Sequence, residues 1–517
     1  MSDAPSPVAP RPAAAQRLGL WLGPALFALT LALPRPHGLD PVAHRALAVV
    51  VWTGAWWLTE AVHAAVAGLL PFVLLPALGV LPAREAARGY QEDAIFLFLG
   101  GFLLASALER SEVHRRMAHA VLRVFGARPR PLMFGFCCVT AFTSMWLSNA
   151  ATTLLLLPAA VALGAEAKAR RPDDPGATRF AQALALSVAV CSTIGGLATP
   201  VGTVPNSILV GAARNQGFDD RVSFFAWILT GLPLTATLLV GHWLLLTYVT
   251  ARYPKTLDLP EADGAEARRL PWTRAQALSA GIFAATVAAW LWRSDIEIGD
   301  GLRIPGWTTL LANAGVLPEA AARHVRDGVP VSGYLKDGGV AVAAALLLFV
   351  VPSRRGGPPL LDWDAAEKRV PWGVLFLLGA SFVLADAFEV PRGGGSLSSW
   401  FAGALRGAAE LPPFGRLLLL AFGAAAISEI GSNTAVAALC VPIGFAAARE
   451  GGHDPLGYGF AVAFGASCSF ALPVSTPPNT LVYGARLVPL GLMVRHGLLL
   501  DVLAAPLIAF VVSFATR

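Results

Sequence analysis

The chain has 517 residues, of which 55% are hydrophobic and 14% charged, and it carries a formal net charge of +6. So little polar surface cannot cover several soluble domains, which excludes a purely water-soluble protein. The Lys and Arg residues sit in short segments between apolar runs rather than along one stripe, which argues against a nucleic-acid partner and for a chain threaded through a lipid bilayer.

Residues 1–17 form a polar leader rich in Pro and Ala, and 18–33 follows as a retained first span because it lacks a small-residue cleavage site. Apolar runs of roughly 18 to 25 residues then recur to the C-terminus, each long enough to cross a hydrocarbon core about 30 Å thick. The expected fold is an all-α polytopic membrane protein with about eleven transmembrane helices. Two longer apolar stretches, 131–163 and 413–448, do not behave as simple spans. Glu60 and His63 fall near the second cytoplasmic turn, where an interfacial place competes with a direct substrate role. With the N-terminus in the cytoplasm, about 23 of the 39 basic residues fall inside, Arg115, Arg116, Arg170, Arg171, Arg268, Arg269, Arg354 and Arg355 among them. The stretch 293–336, with Asp295, Glu297 and Asp300, then lies outside, as does the C-terminus.

As one straight helix, 131–163 would be nearly 50 Å long. Basic loops flank it on both sides, so it leaves and re-enters the same face as a re-entrant hairpin. Its middle carries Ser148, Asn149, Ala150, Ala151, Thr152 and Thr153, and unpaired backbone with small polar groups survives at that depth only around a cavity. The stretch 413–448 reads as a second such hairpin. Cys137, Cys138, Cys191, Cys440 and Cys468 all lie in apolar runs and read as small core residues, with neither a disulfide framework nor a zinc knuckle suggested.

Three blocks recur in the same order. Phe98 to Phe102, leading to Glu109, matches Phe376 to Gly379, leading to Glu389. Ser144 to Asn149, with Pro158, matches Ser428 to Asn433, with Pro442. Thr199, Pro200, Val201, Gly202, Thr203, Val204, Pro205, Asn206 matches Leu472, Pro473, Val474, Ser475, Thr476, Pro477, Pro478, Asn479. An odd number of crossings separates the copies, so the two halves insert in opposite senses. That is the plan of many secondary transporters, in which broken helices from both repeats meet near the midplane. Helix N-termini at such breaks offer free N–H groups to an anion, while unwound carbonyls and side-chain oxygens suit a hard cation. The four polar interruptions contain no Lys or Arg, so a bound cation would supply the full positive charge beside an anion. Ser, Thr, Gly and Pro also serve close packing and kinks in membrane helices, and it is their repetition in two halves that favours binding. Glu429, beside the second tip, is an intramembrane ionisable residue that serves either the site or the hairpin as a brace.

With these residues in view, the sequence resembles the divalent anion/sodium symporter family, which includes sodium-coupled dicarboxylate, citrate and sulfate transporters. The resemblance covers nearly the whole chain. It rests on Trp56, Trp57, Leu58, Thr59, Glu60 and Ala61, on Ser432, Asn433 and Thr434, and on the run from Ala466 to Val482. It implies a homodimer moving by an elevator mechanism, divided into a leader at 1–17, scaffold elements at 18–130 and 251–412, and transport elements at 131–250 and 413–517. Segments near 110–127 and 395–410 would be interfacial arms. One sodium site would use Ser144, Ser148, Asn149 and the carbonyl of Gly202, and the other Ser428, Gly431, Asn433 and the carbonyl of Ser475. The small dianionic substrate would meet Ser148 and Asn149 on one side and Ser432, Asn433 and Thr434 on the other, with Thr203, Thr476 and Pro477 closing the site. Ala150 stands where the family usually has Thr, and Val204 where it usually has Pro. A missing neutral hydrogen bond is worth about 1 kcal/mol, or roughly fivefold in affinity, enough to retune substrate choice.

The function expected is secondary active transport of a divalent anion, a C4 dicarboxylate first, with sodium, in the bacterial inner membrane. A sodium-independent dicarboxylate exchanger of the same fold and a sulfate transporter are the alternatives. An intramembrane enzyme is the distant one, because no P-loop, H-E-x-x-H or G-x-S-x-G motif is found.

Overall fold

The computed structural model describes residues 14–113, 124–126, 128–218, 220–257, 271–298, 302–326, 329–332, 334–391, 395–404 and 411–515. Helices α1 (Ala14–Ala32) and α2 (Pro41–Thr59) pack on each other. Asp40 caps α2 by accepting from Val42 N at 2.8 Å, and Pro41, which has no N–H to satisfy, sits in its first turn. Glu60 closes the helix in the left-handed region at φ 49°, so its backbone serves as a cap. After α3 (Asp93–Arg110), α4 (Pro129–Ser144) and α5 (Asn149–Arg170) form the first hairpin around a tip at 145–148. Helix α6 (Pro175–Gly196) breaks at 197–203 and resumes as α7 (Val204–Asn215). Helix α8 (Phe224–Leu244) continues into a π-helical stretch, Leu245–Thr250.

The second half opens with α9 (Arg274–Leu291), started by a reciprocal capping box between Thr273 and Gln276. Helices α10 (Asp337–Val350) and α11 (Trp372–Phe388) follow. Helices α12 (Pro413–Ile430) and α13 (Asn433–Glu450) make the second hairpin. Helix α14 (Pro455–Ser467) breaks at 468–476 and resumes as α15 (Pro477–Gly484), before the closing helix α16 (Leu490–Ala515).

The two halves therefore repeat one plan, and their packing repeats with it. Each hairpin wraps its own central helix, α4 and α5 on α6, and α12 and α13 on α14. Both central helices are buried on almost every face, as their lack of a polar stripe requires. Close approach is made possible by glycine at matching places. A Cβ on Gly195 would lie 2.2 Å from the carbonyl oxygen of Ala141, and one on Gly465 would lie 2.4 Å from that of Ala421, so helix backbone meets hairpin backbone directly. The halves also cross over, because α15 packs on α5 and α6, while α7 packs on α13 and α14.

Two details differ from the sequence expectation. Within the expected all-α fold, the stretch between α9 and α10 holds two short antiparallel pairs, β1 (Ile296–Ile298) with β2 (Leu302–Ile304) and β3 (Arg323–Arg326) with β4 (Val329–Ser332). Among the described residues, six helices are long and apolar enough to cross a membrane, or seven if Trp363–Arg369 and Trp372–Phe388, bent by 58°, form one span. The expectation of about eleven counted uninterrupted apolar runs, whereas Ala64–Ala77 and Asp337–Val350 are shorter helices. The leader at 1–17 lies mostly outside the described residues, as does the arm near 110–127. Of the arm near 395–410, residues 395–404 are described, with Leu397–Ala404 as a helix.

Candidate functional site

The first hairpin tip is tied to the first break through Asn149. Ser144 Oγ donates to Asn149 Oδ1 at 2.9 Å, joining the end of one arm to the start of the other. A Cβ on Gly196 would lie 2.7 Å from Asn149 Oδ1, 3.1 Å from the Gly202 carbonyl oxygen and 3.3 Å from Thr203 Cβ, so these groups face one another across the glycine. Of the expected first sodium set, Ser144, Asn149 and Gly202 are thus brought together, with Thr203 beside them. Ser148 caps α5, its hydroxyl accepting from Ala151 N at 3.3 Å, and it is exposed.

The second half repeats the arrangement with different partners. Asn433 Oδ1 accepts from Ser469 Oγ at 3.0 Å, which joins the tip to the second break. Ser475 Oγ bonds the carbonyls of Ser469 (3.0 Å) and Leu472 (2.8 Å). Ser428 is fully buried, and its hydroxyl has no hydrogen-bond partner among the described residues. Gly431 is extended at the tip, and Ser432, the N-cap of α13, makes no side-chain capping bond. Gly431, Ser432, Asn433 and Thr434 are all half-buried. Thr476 Oγ1 accepts from Asn479 N at 3.3 Å to cap α15, and Pro477 after it is exposed.

The two breaks are stapled alike by residues outside the expected ligand set. Asn206 Nδ2 donates to the carbonyls of Gly196 and Thr199, both at 2.9 Å, and its own Oδ1 is buried without a partner among the described residues. Asn479 Nδ2 lies 3.1 Å from Leu472 O and 3.3 Å from both Phe470 O and Ser475 Oγ. Both residues close the third matched block, which is the signal that marks them in the sequence. Ser469 carries no such signal, because its first-half counterpart is Gly196 at the same offset.

Glu429 acts as the brace. Its Oε1 and Oε2 accept from Ala471 N and Leu472 N, each at 2.8 Å, and Asp501 Oδ1 accepts from Phe470 N at 3.2 Å. Three successive amides of the second break thereby meet carboxyl oxygens. In the first half the residue matching Glu429 is Met145, whose carbonyl accepts from Thr199 Oγ1 at 2.5 Å. His63 Nδ1 caps a short helix by accepting from Ala65 N at 3.3 Å, whereas Glu60 closes α2 through its backbone alone. A largely apolar cavity of about 440 Å³ lies beside the first tip, between α3, α4 and α9, lined by Leu108, Phe142, Trp146 and Phe283, and it contains none of the candidate ligands.

Helix starts complete the geometry. The N-termini of α5, α7, α13 and α15 follow the two tips and the two breaks; α5, α7 and α13 present first-turn N–H groups with positive partial charge, whereas α15 starts with Pro477 and Pro478, which have no N–H, and contributes its helix dipole. Such a set can hold an anion without a basic side chain, while the Asn and backbone oxygens behind it can hold a small cation.

Known proteins match this chain along most of its length. A family described as citrate transporter matches residues 55–437. The sodium-dependent dicarboxylate transporter SdcS of Staphylococcus saprophyticus subsp. saprophyticus is 31% identical over 509 residues, covering 96% of this chain and 91% of that protein. SdcS of Staphylococcus aureus is 31% identical over 513 residues, with 97% and 91% covered. The crystal structure of the Alcanivorax borkumensis YdaH transporter superposes with a TM-score of 0.53 over 97% of this chain and 98% of that one. At 17% identity, that likeness is one of fold.

Proposed function

The chain belongs to the citrate transporter family, and from that membership we propose that this membrane transporter carries a small dianion, a C4 dicarboxylate first, together with sodium. The observation that carries the reading is the pairing, in each half, of a hairpin-tip carboxamide with a helix break: Asn149 with Ser144 and Gly202, and Asn433 with Ser469. Sodium needs several uncharged or anionic oxygens held in a cage, and each pairing supplies them at membrane depth. The orphaned Ser428 hydroxyl adds a lone pair with no donor facing it. Two relatives named as sodium-dependent dicarboxylate transporters support the same pairing of cargo and ion.

In this reading Ser144, Ser148, Asn149 and Gly202 hold one sodium, and Ser428, Gly431, Asn433 and Ser475 hold the other. The dianion spans the tips, meeting Ser148, Asn149, Ser432, Asn433 and Thr434, with Thr203, Thr476 and Pro477 on its flanks. Bound sodium lowers the cost of bringing two negative charges into the bilayer, which is the physical reason for coupling. Residues 131–250 and 413–517 move as transport elements against 18–130 and 251–412, by an elevator motion in a homodimer. The orientation follows from the basic loops, with the N-terminus in the cytoplasm of a bacterial cell, the C-terminus outside, and the chain in the inner membrane.

Uptake into proteoliposomes tests the proposal. Labelled succinate should accumulate only with an inward sodium gradient, and the gradient should remain effective with empty vesicles. Uptake that ignores sodium but requires internal dicarboxylate would replace the symporter by an exchanger. Sulfate entering in preference to succinate would keep the coupling and change the cargo.

A further inference from the structure

Outside the candidate transport site, one cluster has the chemistry of a metal centre. Cys137 on α4, Cys191 on α6 and His242 on α8 are all fully buried, and one ligand atom from each lies within 4.8 Å of the other two. These residues are 54 and 51 positions apart in sequence, so no C-x-x-C spacing announces them. We propose that Cys137, Cys191 and His242 form a binding site for one thiophilic metal ion, Zn²⁺ in particular, that pins three helices of the first half together.

The hydrogen bonds around His242 carry the argument. His242 Nδ1 lies 2.8 Å from His496 Nε2, and His496 Nδ1 lies 3.0 Å from Thr250 Oγ1. The Thr250 hydroxyl in turn donates to Leu245 O at 3.2 Å. One tautomer satisfies the whole chain: His242 Nδ1–H donates to His496, His496 Nδ1–H donates to Thr250, and Thr250 O–H donates to the backbone. That assignment leaves a bare lone pair on His242 Nε2, a buried nitrogen with no hydrogen-bond partner among the described residues. A ligating imidazole whose other nitrogen donates to an outer group is the usual second shell of a zinc site, because it fixes both the tautomer and the ring. The π-helical stretch that follows α8 carries Thr250, and such local widening is frequent at functional sites.

Bond lengths fit with a small closure. Zn–S near 2.3 Å and Zn–N near 2.0 to 2.1 Å place tetrahedral ligand atoms roughly 3.5 to 3.8 Å apart. Side-chain rotation of about 1 Å brings the three atoms to that spacing. Charge fits as well. As each Zn–S bond forms, a thiol gives up its proton, so one Zn²⁺ enters, two H⁺ leave, and the product Zn(SR)₂ with a neutral imidazole has no net charge. A neutral centre avoids the desolvation cost that an unbalanced ion would meet among these apolar neighbours. The fourth position is left to water. Cys138 is only half-buried and Cys440 sits on α13, so neither joins the cluster, and both serve as controls.

The test uses the full chain in lipid nanodiscs, loaded with Zn²⁺ under reducing conditions, washed with a weak chelator and assayed for metal by mass spectrometry. About one zinc per chain is expected, retained in Cys138→Ser and Cys440→Ser and lost in Cys191→Ser and His242→Gln. Co²⁺ loading of the unsubstituted protein should give tetrahedral d–d bands with thiolate-to-cobalt charge transfer, a signature that does not depend on any variant folding. Absence of stable metal and of the charge-transfer band would overturn the proposal. So would zinc that persists in both cluster variants, zinc removed by washing as an adventitious ion only, or a Cys137–Cys191 disulfide in the protein as isolated.

Discussion

Replacing Asn479 by Ala removes the staple of the second break. The Asn479 carboxamide nitrogen carries two hydrogens and faces three acceptors at 3.1 to 3.3 Å, so at least two hydrogen bonds are lost. Asn479 is buried; without it the Leu472 carbonyl keeps the Ser475 hydroxyl and amide, whereas the buried Phe470 carbonyl loses its one hydrogen bond among the described residues. At about 1 to 3 kcal/mol for one unsatisfied carbonyl, the folded break loses about 1 to 3 kcal/mol. In the proposed site the carbonyl of Ser475 is a sodium ligand inside this segment, so ion binding must first restore the break. A penalty of about 2 kcal/mol passed to binding corresponds to roughly a thirtyfold rise in half-saturating sodium, and partial relaxation lowers it to about tenfold. Sodium titration of succinate uptake in proteoliposomes reads this directly, with thermal unfolding measured in parallel. Asn479→Asp keeps the volume but turns donors into acceptors that face three oxygens, and it should be at least as damaging. Unchanged sodium half-saturation together with an unchanged unfolding temperature would refute the staple.

Asn149→Ala and Asn433→Ala should each nearly abolish sodium-driven uptake while the protein stays monodisperse, and normal rates in both would remove these side chains from the site. Ala150→Thr restores a hydroxyl at the first tip and should shift the ranking of succinate, malate, citrate and sulfate by roughly fivefold in a competition panel, whereas an unaltered ranking would show that position 150 does not tune selectivity. Arg214, on α7, pairs with Asp93 at 2.8 Å and Asp337 at 3.3 Å, and Asp337 also binds Arg293. Arg214→Gln should cost about 2 to 4 kcal/mol in thermal unfolding, because Asp337 is buried and retains only one cation; a shift within error would mean that Arg293 alone satisfies it.

Much of the design was legible because the bilayer forces it into composition. Apolar runs, Ser-Asn tips and Pro-Asn breaks had to stand out, and the matched blocks located both hairpins, both breaks and the residues that staple them. Helix number was less legible, since hydropathy registers an apolar run whether it crosses in one piece or bends, as at Trp363–Arg369 and Trp372–Phe388. Ser469 reaching Asn433 and Glu429 clasping the amides of Ala471 and Leu472 span 36 to 43 residues and depend on how α12 lies against the second break. The Cys137, Cys191 and His242 cluster was illegible for the same reason, each member looking like core until three helices bring them together. The two β pairs sit in the polar stretch between α9 and α10, where neither membrane pattern nor long strand periodicity operates.

The glycine contacts at Gly195 and Gly465 bear on what can slide past what. Where one main chain lies directly on another, no layer of flexible side chains exists to shear, so each hairpin and its central helix travel together or separate entirely. Any relative displacement in the transport cycle is therefore confined to surfaces cushioned by side chains. The apolar cleft around Trp146 and Phe283 is such a surface, and cross-linking across it should arrest turnover where cross-linking α4 to α6 should not.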